Sequence, residues 1–209
     1  MKLFLPLAAV TIAVLAAPAT QASILTSSLP AFQAGLGRAS ANTTSNLGTP
    51  FATISTVALV NGNRVSLSGT ADTIDQPGVG RIAFSNGYTG QVVDSTTNTE
   101  TLRFATPLTS FGLTVAPDVP LLGPTLVNIT VQLPGGASTT VAKTFNGGDV
   151  QFFGYTSGPE TGLTITTSTS HFAFGQFLTG SATAVPEPGS VLVLITGLLA
   201  AAPLLRRRS

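Results

Sequence analysis

The 209-residue chain has no cysteine and no tryptophan, and only one histidine. Without thiols it forms no disulfide, and a thiol nucleophile or a cysteine-built metal site is excluded. A zinc site would have to combine the single imidazole, His171, with carboxylates, an unusual donor set. His171 opens an aromatic stretch, residues 172–177, and reads as a structural or surface histidine at the start of a strand. No Gly-X-Ser-X-Gly elbow sets a serine on a strand-to-helix turn, so the many serines offer no recognisable triad. Charge is scarce too, at 8% Asp, Glu, Lys and Arg.

The few charges are unevenly placed. Lys2 and Arg206, Arg207 and Arg208 lie at the two ends. Residues 23–184 keep five cationic side chains against seven carboxylates, a net charge of −2. That leaves no basic footprint for nucleic acid.

Both ends read as addresses rather than as parts of a fold. Met1-Lys2 followed by the apolar run 3–17 and by Thr20-Gln21-Ala22 forms a secretory signal peptide, residues 1–22, with cleavage between Ala22 and Ser23. Its partners would be the secretion machinery and a signal peptidase. The competing reading, a retained N-terminal anchor, sits poorly with so short a run and with Pro18 behind it. At the other end, Pro186-Glu187-Pro188 precedes the uncharged run 189–205 and then Arg206-Arg207-Arg208. As a helix that run would reach roughly 25 Å, enough for a short transmembrane span. The arginines would stay on the cytoplasmic side and leave the rest of the chain outside.

In this order and position, residues 185–209 resemble the PEP-CTERM sorting domain of Gram-negative bacteria. Pro186, Glu187 and Pro188 match its motif, residues 191–205 its helix, and Arg206 to Arg208 its basic end. The resemblance implies that a membrane-embedded cysteine protease-transpeptidase, an exosortase, cuts near the triplet and releases or transfers the exported part. It also implies a setting of exopolysaccharide synthesis. A plain single-pass C-terminal anchor is the alternative.

Between the ends, the pattern is that of strands. Val127, Ile129, Val131 and Leu133 alternate with Asn128, Thr130 and Gln132, one face inward and one toward water. Pro134-Gly135-Gly136 turns the chain into a second strand, 139–145, and Asn146-Gly147-Gly148 turns it again into residues 150–155. Further strands are predicted over 51–59, 64–68, 81–85, 101–104, 110–115, 163–167 and 171–178, with no helical periodicity between them. Residues 23–50 are the exception, an edge segment wrapped over the fold or a mobile one. Residues 179–184 read as a small polar spacer. About 160 residues suffice for one domain. The expected architecture is all-β, a single antiparallel β-sandwich of jelly-roll type over residues 23–184, flanked by the signal helix and the transmembrane helix. Residues 99–180 are similar, in their order of aromatics and glycine turns, to the ectodomain common among PEP-CTERM proteins.

Two further places invite chemistry. Asp72 and Asp75, three apart in a loop closed by Gln76-Pro77-Gly78, could hold Ca²⁺, although an aspartate-initiated turn explains them as well. Tyr88, within Ser85-Asn86-Gly87-Tyr88-Thr89-Gly90, is the better of two tyrosines for a surface contact with a sugar ring. No catalytic residue and no cofactor beyond this possible Ca²⁺ is assigned. The chain reads as an exported, non-catalytic structural or adhesive component of the envelope or extracellular matrix. A carbohydrate- or Ca²⁺-dependent binding module of the exopolysaccharide matrix is the alternative, and a hydrolase is a distant third.

Overall fold

The computed structural model describes residues 23–41, 47, 49, 51–59, 62–69, 73–75, 91–119 and 123–182. In chain order the elements are β1 (Ile24–Thr26), α1 (Leu29–Ala34), β2 (Leu36–Ala41), β3 (Thr56–Ala58), β4 (Arg64–Leu67) and β5 (Thr73–Asp75). They continue with β6 (Val92–Ser95), β7 (Thr99–Pro117), β8 (Thr125–Gln132), β9 (Ser138–Phe145), β10 (Gln151–Thr167) and β11 (Phe172–Ala182). Every pairing among them is antiparallel.

The alternating segment 127–133 becomes β8, with Val127, Ile129 and Val131 fully buried and Asn128 and Gln132 exposed. It pairs with β9 from Thr125↔Phe145 to Gln132↔Ser138. The turn closes with the Leu133 N–H donating to the Ala137 carbonyl, and Gly136 takes the left-handed φ of 89° that the turn needs. The next turn is held by the Asn146 N–H donating to Asp149 Oδ2 at 2.8 Å.

Two of the expected strand breaks are not breaks. Residues 101–104 and 110–115 belong to one strand, β7, and residues 151–155 and 163–167 belong to another, β10. Pro107 and Gly158-Pro159 look like turns in sequence, yet here they mark a corner that both strands cross together. The pairing of β10 with β7 shifts register between Thr156 and Glu160 and again between Glu160 and Gly162. Ser157, at φ 80°, carries the irregularity on β10. Such bulges bend a strand pair and let it pass from one layer to the next.

The corner divides the network into two leaves. On one side lie β3, β4, residues 99–104 of β7, residues 162–167 of β10, β8 and β9. On the other lie β5, β6, β11, residues 110–117 of β7, residues 151–156 of β10 and β1, with β2 on the far part of β11. Inward side chains from both leaves, among them Val65, Leu102, Ile129, Ile165, Leu113, Phe153, Phe174 and Phe177, form one buried cluster. Phe104 and Phe111, from opposite sides of the corner, stack at 4.8 Å between ring centroids.

The N-terminal segment is placed, and it contains a helix that no periodicity announced. Ser28 caps α1 by accepting from the Ala31 N–H, and Pro30 suits the first turn because its missing N–H costs nothing there. α1 lays Phe32, fully buried, against Phe152 at 5.3 Å on the back of the second leaf. Burying one such ring is worth about 1.5–3 kcal/mol. The ring fits because β7 and β10 present Gly112 and Gly154 there, whose added Cβ atoms would meet Phe152 and Phe32 at 2.6 and 2.7 Å. β1 and β2 then pair with β10 and β11, so this segment is edge structure over the second leaf. The predicted strand 81–85 lies outside the described residues.

Candidate functional site

The first leaf has an uncovered outer face, and its composition follows from the period of two. The residues that alternate with the buried ones are Thr99, Thr101 and Arg103 on β7, Thr164 and Thr166 on β10, and Asn128, Thr130 and Gln132 on β8. Ser138 and Thr140 on β9 and Arg64 and Ser66 on β4 continue it at either side. Register lines them into rows. Thr101 stands opposite Thr164, which stands opposite Gln132 and then Ser138. Thr99, Thr166, Thr130 and Thr140 form the next row.

Neighbouring hydroxyls in these rows touch. Thr101 Oγ1 and Thr164 Oγ1 lie 3.0 Å apart, and Thr130 Oγ1 and Thr140 Oγ1 2.8 Å. Each pair uses one donor and leaves lone pairs and a second hydroxyl hydrogen facing outward. Cross-strand threonine pairs also steady the sheet by a few tenths of a kcal/mol to about 1 kcal/mol each.

Across this face runs a groove of about 560 Å³, lined among others by Thr101, Arg103, Gln132, Pro134, Gly162 and Thr164. Gly162, in its lining, marks a close approach of β10 to β7. A Cβ at that position would collide with the Leu102 carbonyl oxygen and lie 3.2 and 3.3 Å from the Leu102 carbonyl carbon and the Arg103 Cα. The bulge brings the two backbones this close, so only glycine fits. Arg103 stands beside it, exposed and without an ion pair among the described residues. The lining holds no carboxylate and no imidazole, so it offers hydrogen-bond donors, acceptors and one fixed cation rather than an acid–base pair.

Other polar groups hold the fold. Glu100 is fully buried; its Oε1 accepts from the Ser68 N–H at 2.5 Å, the Ser68 hydroxyl at 2.9 Å and the Gly69 N–H at 3.1 Å, while Oε2 has no partner. Tyr155 is buried at the corner and donates to the Leu108 carbonyl at 3.0 Å. Burial, and secondarily the Glu160 carboxylate, pushes its phenol far above the usual range.

The residues singled out in the sequence fall in different places. His171 is exposed, its Nδ1 3.8 Å from Asp118 Oδ2, and it is not among the residues that line the groove. Asp75 lies in β5 opposite Val92, and Asp72, its partner in the candidate Ca²⁺ loop, lies outside the described residues. Among the described residues, no group of three or more His, Asp or Glu side chains converges as metal ligands would. Tyr88, Ala22, Pro186, Glu187, Pro188 and Arg206 to Arg208 also lie outside the described residues, while Ser23 is described. No helix among the described residues is long and apolar enough to cross a membrane. Sequence reading missed the groove, whose one legible trace is the Thr-X-Thr spacing at Thr99/Thr101 and Thr164/Thr166.

No family model and no curated protein matches the chain. Among solved structures it is similar to the N-terminal CBM22-1–CBM22-2 tandem domain of Paenibacillus barcinonensis Xyn10C, at 11% identity and a TM-score of 0.33. The match covers 71% of this chain and 47% of that one, so the chain spans about half its length. A likeness at that score says nothing about ligand or activity.

Proposed function

We propose that the chain is an exported protein of the cell envelope or extracellular matrix, a non-catalytic structural or adhesive component that contacts polysaccharide through its threonine face. In this reading its folded part is a jelly-roll-type β-sandwich, and its tail, with Pro186, Glu187 and Pro188, is read by an exosortase. The observation that carries the reading is the open, hydroxyl-rich groove with Gln132 and Arg103 at its sides. Sugars are recognised by hydrogen bonds to their hydroxyls and by shallow concave surfaces, and this face supplies both. A lining with one arginine and no carboxylate fits adhesion better than hydrolysis, which needs two carboxyl groups placed across the bond.

The test has two arms. Protein recovered from a Gram-negative host carrying an exosortase is applied to a glycan array with and without EDTA. Binding that survives EDTA and falls on replacement of Gln132 by Ala supports the reading; binding to no glycan removes the polysaccharide contact, and loss with EDTA moves the function to a Ca²⁺-dependent site. In the second arm, Glu187→Ala should accumulate as an uncleaved membrane form, and normal processing of that variant would favour a plain anchor.

A further inference from the structure

Charge on the threonine face has one sign. Arg103 lines the groove, and Arg64 is its diagonal neighbour across β4, since Ser66 stands opposite Arg103 and Arg64 is two residues along. Both are exposed, and neither has an ion pair among the described residues. The outward residues of β3, β4, β8, β9 and the first part of β7 are Thr, Ser, Ala, Asn, Gln, Leu and Arg, without a carboxylate. This is the reverse of residues 23–184 as a whole, whose net charge is −2. Two guanidinium groups without an ion pair among the described residues, gathered on one face of an otherwise acidic domain, form a local positive potential over the grooved part of that face.

We infer that the groove takes a carboxylate-bearing polysaccharide, with Arg103 on the sugar carboxylate and Thr101, Thr164 and Gln132 on the neighbouring hydroxyls. This rests on the polysaccharide contact proposed above and names its ligand class. Arginine suits the task because its planar fork meets a carboxylate with two parallel N–H···O bonds. Thr101, Gln132 and Thr164 line the same groove beside that fork. Arg64 lies at the diagonal spacing of about 7–8 Å, within reach of the next acidic group along a polymer.

The probes are polygalacturonate, its methyl ester, sulfated dextran and plain dextran, with binding to the full secreted protein measured by calorimetry. Polygalacturonate should bind best and its methyl ester at least tenfold more weakly. Arg103→Gln should cost about tenfold or more toward polygalacturonate, as expected for a hydrogen bond to a charged group. Arg103→Lys should recover part of that loss, and Lys143→Gln, on the opposite side of β9, should bind polygalacturonate as the wild type does. Sulfated dextran binding equally to wild type and to Arg103→Gln would mean a general polyanion effect and overturn the carboxylate specificity. Dextran binding as well as polygalacturonate would overturn it too, yet leave the polysaccharide contact standing. Binding of no probe would remove both. Arg103 is exposed and has no ion pair among the described residues, so its variants should melt with the wild type, and that is checked first.

A separate observation concerns the start of the folded part. The Ser23 hydroxyl donates to Glu160 Oε1, across 137 positions of sequence, where β1 meets β10 beside the corner. Ser23 is also the first residue after the cleavage site read from Thr20-Gln21-Ala22. We infer that removing the leader creates an α-ammonium beside Glu160, an ion pair that fastens β1 only in the processed chain. N-terminal sequencing should return Ser23, and hydrogen exchange of the Ile24–Thr26 amides should be several-fold slower in the processed protein than in its Nα-acetylated form. Glu160→Gln should bring the two forms to the same rate. A different mature terminus, or equal exchange before and after acetylation, would overturn the inference.

Discussion

Replacing Gly162 with alanine adds one methyl group where two backbones touch. The new Cβ would collide with the Leu102 carbonyl oxygen and crowd the Leu102 carbonyl carbon and the Arg103 Cα, all main-chain atoms. No side chain can swing aside, so β7 and β10 must separate at the Gly162↔Arg103 pair. Overpacking of this kind costs about 1–3 kcal/mol. A weakened ladder bond adds about 1 kcal/mol. A combined loss of about 2–4 kcal/mol corresponds to a melting temperature lower by roughly 4–15 °C for a domain of this size. Gly135→Ala is the control, because it makes the same chemical change where nothing lies within 4 Å and φ is not positive. Its effect should stay within about 0.5 kcal/mol. Thermal denaturation followed by far-UV circular dichroism decides the matter. If the two variants melt within a degree or two of each other, the close approach at the bulge is wrong.

Three further outcomes follow from the packing. Phe32→Ala should lower stability by about 3–5 kcal/mol in chemical denaturation, because the ring is fully buried against Phe152; a loss under about 1 kcal/mol would mean that α1 is not docked. Glu100→Ala should cost about 3 kcal/mol or more by leaving the donors of Ser68 and Gly69 unmet, whereas Glu100→Gln keeps an acceptor and should cost less; equal losses would show that the carboxylate oxygen is not what those donors need. Tyr155 is raised chiefly by burial, so at high pH the unfolded state loses the phenolic proton first and stability falls from about pH 10 upward. Tyr155→Phe should flatten that part of the pH–stability curve, and an unchanged alkaline slope would contradict the assignment.

Much of the sheet was readable, for a physical reason. Where one face is dry and the other wet, as in Val127 to Leu133, the period of two is written in the residues, and the turns at Gly136 and Gly148 need left-handed backbone that glycine supplies. The corner was not readable, because Pro107 and Gly158-Pro159 serve bends and reversals alike, and only the register with the partner strand tells them apart. In the second leaf both faces of residues 110–117 are buried, so alternation fades there. α1 is too short for a helical period to show, and Phe32 gains its place from two glycines about 80 and 120 positions away. In the groove's lining Gly162 meets Leu102, a contact that no local pattern encodes.

The two long strands also set an order for folding. β7 and β10 are far apart in sequence, and both leaves depend on their ribbon, so neither leaf can mature without closing a long loop. The β8–β9 hairpin lies within that loop and is joined by a tight turn, so it can zip on its own within microseconds. Once formed, it shortens the free chain between Pro117 and Gln151 and lowers the entropy cost of bringing the ribbon together. A chain delivered unfolded through a membrane would thus assemble from its middle outward, with the strand nearest its N-terminus docking only after β10 is in place.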